Sequence, residues 1–230
     1  MDAWTTNTVQ TADRVSAFLW KVYGWMAVGL GLTALVAFAV AGSPALLGVL
    51  VGNRLVFFAL VIAELGLVFF LSARADRLAP GTAAGLFALY SALNGVTLSV
   101  ILLAYTGESV TMTFVVTAGM FGALALFGST TKRSLAGAGQ FFMMGLIGLI
   151  LASIIGMFWH NDALQFLISV VGVIVFTGLT AWDAQRLKQM ALALPEGQAG
   201  AYAVVGALSL YLNFINLFLM LLRFTGSRRD

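Results

Sequence analysis

Cysteine is absent from the 230 residues, charged side chains make up only 9% of them, histidine occurs once and proline three times. Each scarcity closes a class of function. Without cysteine there is no thiol nucleophile, no disulfide and no thiolate metal site. The single histidine, His160, sits beside Asn161 and Asp162 between two apolar runs and reads as a loop residue. A hydrolytic serine would therefore have no histidine at depth to activate it, and zinc would lack ligands. A pair of catalytic carboxylates needs two acids on facing helices. Only Glu64 and Asp183 qualify, and they fall at different depths of their runs. The chain reads as a non-enzyme without a cofactor. Its net charge of +3 and pI near 9.5 come from short basic loops, so no nucleic-acid surface is expected.

What fills the space is hydrophobic. Apolar residues reach 61% and the mean hydropathy is +1.00, whereas soluble domains carry about 25% charged residues. Continuous apolar runs of roughly 20 residues imply helices crossing a bilayer, not the alternating pattern of barrel strands. Seven runs are predicted, at about 22–41, 55–73, 82–106, 110–128, 137–158, 163–184 and 201–222. The three prolines punctuate them: Gly42-Ser43-Pro44 closes the first, Ala79-Pro80-Gly81 opens the third and Pro195-Glu196-Gly197 precedes the seventh. The expected fold class is thus an all-α membrane protein, a seven-transmembrane-helix bundle. Residues 1–20 form a short cytoplasmic tail, 21–223 the transmembrane domain and 224–230 a basic tail. Residues 1–17 are polar and carry no cleavage signature, so the first span is expected to be retained.

Basic residues set an orientation, because they favour the cytoplasmic side. With the N-terminus inside, Arg14, Lys21, Arg74, Arg77, Lys132, Arg133, Arg186 and Lys188 are cytoplasmic, and only Arg54 lies in an outer loop. Arg223, Arg228 and Arg229 leave two options: a seventh full crossing puts them outside, and a segment that dips and returns puts them inside. Gly81 with Gly85, Gly119 with Gly122, and Gly145 with Gly148 are expected to mark close helix–helix approach.

Few polar groups lie at depth, and ionisable ones there usually face the protein interior and mark an ion path. Glu64 falls mid-way along the second span, and Asp183 toward the end of the sixth. On the seventh, Ser209, Asn213 and Asn216 recur at i, i+4 and i+7; on the third, Tyr90, Asn94 and Thr97 do the same. A carboxamide unpaired in hydrocarbon costs several kcal/mol. The seventh helix, apolar elsewhere around its circumference, is therefore expected to be central and packed against the third and sixth spans. Both asparagines could serve simply as fasteners between helices, at about 0.6 kcal/mol for such a pair.

The segments Phe176-Thr177-Gly178-Leu179-Thr180-Ala181-Trp182-Asp183-Ala184-Gln185-Arg186-Leu187-Lys188 and Gly206-Ala207-Leu208-Ser209-Leu210-Tyr211-Leu212-Asn213-Phe214-Ile215-Asn216-Leu217-Phe218 resemble the paired C-terminal signatures of the Bax inhibitor-1 family, in its bacterial YccA-like branch. Val22 to Met26, Leu89 to Gly95, Phe114 to Gly122 and Thr130 to Arg133 continue the resemblance. It implies a seven-helix bundle with the last helix wrapped by the others. It also implies a passive, pH-sensitive calcium leak, with Ca²⁺ as permeant ion, in the bacterial plasma (inner) membrane. The family's sensor is an aspartate pair on the sixth and seventh spans, joined by a basic residue at the end of the second. The resemblance places the first aspartate at Asp183 and the basic partner at Arg74, with Glu64 along the path beside Asn94 and Asn216. Asp183 and Glu64 are then the transient Ca²⁺ contacts.

At the second aspartate this chain has Asn213. Two close carboxylates share a proton and titrate as a pair. An Asp–Asn pair can form the same hydrogen bond but holds no shared proton, so pH sensing at this latch is expected to be weakened. A second role suggested by the resemblance is regulatory, with a membrane-bound AAA protease as partner and residues 1–17 as the working part. The partners expected are membrane lipids, Ca²⁺ and, in that second role, the protease, and the chain is read as a monomer or weak oligomer.

Overall fold

The structure is a computed structural model that describes residues 3–159, 161–195 and 199–229, without the side chains of 3–11 and of Met157. His160 lies outside the described residues. Among these there are eight helices: α1 (Ala3–Ala41), α2 (Pro44–Gly52), α3 (Arg54–Ala73), α4 (Pro80–Ala104), α5 (Gly107–Thr130), α6 (Ala136–Phe158), α7 (Asp162–Ala193) and α8 (Ala199–Thr225). Seven of them are long and apolar enough to span a bilayer, at the places read from the sequence. The eighth is α2, a nine-residue helix after the first span. It begins where Pro44 pre-sets the helical φ and ends at Asn53, whose Oδ1 accepts from Leu55 and Val56 N to start α3. The polar residues from Ala3 onward continue α1 as helix and do not form an irregular tail.

The helices fall into two compact units. In the first, built from α1 to α4 with the end of α7 and α8 up to Tyr211, α4 packs on α1 and α3. Gly95 makes that contact possible: a Cβ there would stand 2.6 Å from the Thr33 carbonyl oxygen. Val22, Phe87 and Tyr211 are fully or almost fully buried. Arg14 donates to the Leu194 carbonyl at 3.1 Å, which ties α1 to the end of the α7 segment.

In the second unit, Leu149, Phe176, Leu179, Leu217 and Met220 form the core. Rings of Phe114 and Phe121 stand edge-on to Phe214 at 5.4 and 5.5 Å. The α5 backbone at Gly128 lies against the Ala181 carbonyl of α7, leaving no room for a Cβ. The glycine pairs singled out from spacing behave differently. A Cβ on Gly81, Gly85, Gly119, Gly122 or Gly148 would meet no atom within 4 Å, and only Gly145 touches a neighbour, Val175, at 3.1 Å. Spacing shows which residues share a face, not which face meets another helix.

The C-terminal helix is the most enclosed: 72% of its most apolar stretch is buried, against at most 39% in the other six spans. At 27 residues and 1.5 Å per residue it is about 40 Å long, enough for one full crossing. It does not turn back. Thr106 N donates to the Ser227 carbonyl at 3.1 Å, Ser227 N donates to Ser109 Oγ at 2.9 Å, and Arg228 pairs with Tyr105 in an isolated bridge. The basic tail is thus fastened to the connection between α4 and α5. An unbroken helix of this length gives the dip-and-return no support. Counted as a full crossing, α8 would set four basic residues, Arg54, Arg223, Arg228 and Arg229, against the other eight.

Candidate functional site

Two polar clusters lie within the spans, one in each unit. In the first, Glu64 sits mid-way along α3 and is 9% exposed. Its carboxylate accepts from Asn94 Nδ2 at 3.2 Å and from Thr97 Oγ1 at 3.0 Å, both on α4. The i, i+3 spacing that put Asn94 and Thr97 on one face thus aims two donors at one carboxyl group. Asn94 Oδ1 accepts from the Tyr211 hydroxyl at 3.0 Å, that hydroxyl is 2.6 Å from Thr33 Oγ1, and Thr33 Oγ1 reaches the Ser91 carbonyl at 2.8 Å. Tyr90 and Phe87 hold the Tyr211 ring edge-on at 5.6 and 5.7 Å. No cation pairs with Glu64 among the described residues.

In the second cluster Asp183, 5% exposed, accepts from Asn213 Nδ2 at 2.8 Å. Its other oxygen faces Arg186 at 3.8 Å, one turn further along α7; the Arg186 side chain is 45% exposed and lies over the Trp182 ring at 5.4 Å. Successive residues of this run each do one task. Ala181 offers its backbone to Gly128. Trp182 covers Gly139 of α6. Ala184 is fully buried. Gln185 accepts from Leu135 N and donates to the Arg133 carbonyl, both at 2.8 Å, and so clamps the connection from α5 to α6.

The expected residues are distributed unevenly. Asp183 and Asn213 are brought together, as are Glu64 and Asn94. Asn216, half-buried, donates to the Leu212 carbonyl of its own helix at 2.8 Å, so it does not act as a fastener between helices. Arg74 caps α3, is exposed and lays its guanidinium over Phe70 at 5.8 Å; it belongs to the first unit and Asp183 to the second. Three participants escaped the sequence reading. Tyr211 lies about 200° around α8 from Asn213, so a search for one polar face misses it. Thr33 stands alone in an apolar run. Gln185 sits among charged residues and reads as surface. A further feature is a cavity of about 550 Å³ in the second unit, lined by Glu108, Thr106, Ser109, Thr113, Thr225 and Ser227 among others.

The family described as "Inhibitor of apoptosis-promoting Bax1" matches residues 15–230. The Inner membrane protein YbhL of Escherichia coli K12 is 49% identical over 226 residues, 97% of each chain. A protein of Borreliella burgdorferi is 43% identical over 215 residues, 93% of each chain. One of Deinococcus radiodurans is 42% identical over 220 residues, 95% of this chain and 94% of its own. With seven membrane-spanning helices, the two signature segments joined at Asp183 and Asn213, and matches of this extent, the chain belongs to the Bax inhibitor-1 family.

Proposed function

We propose that the protein is a passive leak for calcium and similar cations in the inner membrane, with its N-terminus in the cytoplasm. The observation that carries this reading is the 2.8 Å bond from Asn213 to Asp183, made at the two positions where the family places its latch. Asp183 and Asn213 act as the gate. Arg74 is kept as their basic partner on the strength of the resemblance alone. Glu64, Asn94 and Asn216 line the path. A hard cation prefers carboxylate and carbonyl oxygen, and each cluster supplies one carboxylate beside carboxamide or hydroxyl oxygens. One negative charge per cluster suits transient contact better than a resident ion. Eight basic residues facing the cytoplasm against four on the other side support the orientation.

Replacing the second aspartate by Asn213 removes the shared proton from the latch. Liposomes loaded with a calcium-sensitive dye test this. The protein should pass Ca²⁺ faster than protein-free vesicles, and Asn213→Asp should steepen the dependence of that flux on pH. Flux no faster than in empty vesicles removes the leak reading. A pH response as steep in the natural chain as in Asn213→Asp removes the role given to Asn213.

A further inference from the structure

The helices α1 and α7 both outrun the hydrocarbon of a bilayer, and their overhanging ends meet. The span in α1 runs over Ala12–Ala41, 30 residues, and α7 has 32. At 1.5 Å per residue these are about 45 and about 48 Å long, against about 30 Å of hydrocarbon. Counted back from Ala41, roughly twenty residues reach Val22, so Arg14 to Lys21 stand at the level of the lipid headgroups. Counted on from Asp162, about the last three turns of α7 overhang in the same way. Trp20, exposed on α1, marks this level too, since tryptophan collects where lipid meets water.

Between the overhangs lies a cavity of about 250 Å³, lined by Arg14, Phe18 and Lys21 of α1 and by Ala191, Leu194 and Pro195 of the α7 segment. Arg14 and Lys21, at i and i+7, share one face of α1 and stand about 10 Å apart along its axis. The bond to the Leu194 carbonyl at 3.1 Å holds the Arg14 guanidinium at the rim, and Lys21 is exposed. Lys188, one turn before Ala191, adds a third positive charge on that face of α7. No carboxylate lines the cavity among the described residues. Its floor is apolar, with Phe18 and Ala191 both buried.

We propose that this cavity binds the phosphate headgroup of an acidic membrane lipid. A phosphate between Arg14 and Lys21 meets a guanidinium fork on one side and an ammonium on the other. The glycerol behind it rests on Phe18. The volume equals about eight water molecules of liquid, more than one small anion fills and suited to a glycerol-phosphate group. Depth and the apolar floor favour a lipid over a dissolved anion, because basic pockets between membrane helices at headgroup level hold such lipids. The bound lipid braces the start of α1 against the end of α7, beside the Arg14–Leu194 bond. The site uses neither Glu64 nor Asp183 and stands apart from the leak.

Native mass spectrometry of the full-length protein, released from detergent with defined phospholipids, reads the site without reference to transport. Phosphatidylglycerol should bind more tightly than phosphatidylcholine, which carries the same phosphate but no net charge. Lys21→Gln, which keeps the Arg14 bond to Leu194, should weaken phosphatidylglycerol about fivefold, and Arg14→Gln added to it about thirtyfold in all. Lys132→Gln removes the same charge from the exposed connection between α5 and α6 and should weaken it by less than about twofold. Equal affinity for the two lipids, or equal losses in Lys21→Gln and Lys132→Gln, overturns the site. An excess of inorganic phosphate should leave the lipid in place. Its displacement by phosphate would assign the cavity to dissolved anions and overturn the lipid.

Discussion

The two clusters each bury one carboxylate against a carboxamide, yet their charges are kept by different means. Asp183 stands toward the end of α7, with Arg186 one turn away and half in water, so its negative charge has a permanent companion. Glu64 stands in the middle of α3, and everything that touches it is neutral. A charge among neutral groups in a low dielectric is conditional, since a proton removes its desolvation cost at once. The partner of Asp183 is a single carboxamide, whereas Glu64 heads a chain that runs through Asn94 to the hydroxyls of Tyr211 and Thr33.

Three comparisons, using four substitutions, sharpen or break that contrast, taken from the largest effect down. Gln185→Ala removes both bonds of the clamp on the α5–α6 connection and leaves the Leu135 amide and the Arg133 carbonyl without partners. It should cost about 2–3 kcal/mol of stability, seen as a lower unfolding temperature in detergent. An unchanged unfolding temperature would mean that the clamp holds nothing. Next, the same chemical change is made in both clusters. Asp183→Asn exchanges a charge-assisted bond for a neutral one and should lose about 1 kcal/mol at neutral pH. Glu64→Gln keeps the shape and ends the burial of a charge that no cation offsets, so it should lose nothing. Thermal unfolding of the two variants side by side checks this, and a larger loss in Glu64→Gln would reverse the comparison. Smallest is Asn216→Ala. Its amide serves only its own helix among the described bonds, so stability should change by no more than about 0.5 kcal/mol.

The spans were legible because nothing but a helix can bury twenty apolar residues' worth of backbone in lipid. The short helix α2 was not, since Pro44–Gly52 is too short to span and has no polar face to set its period. Close packing was misread for a related reason. Gly95 and Gly128, where backbones touch, stand outside the pairs that spacing suggested, and most of those pairs face open space. In the second cluster, Asp183 and Asn213 stood out singly as polar groups at depth, their pairing came from the resemblance, and the geometry showed Arg186 facing Asp183 and added Gln185. In the first, Asn94 and Thr97 were readable as one helical face. The partners that complete their hydrogen-bond chain, Tyr211 and Thr33, come from helices distant in sequence, and no local pattern announces a contact of that kind.

The tie between Ser227 and the connection before α5 has a topological consequence. Seven crossings, an odd number, would make the chain a vector through the membrane, with its two ends in different compartments. A ligand, enzyme or fused reporter that reaches one end is screened by the bilayer from the other. Arg228 and Arg229 would then be addressable only from the compartment that the Arg14 end never sees.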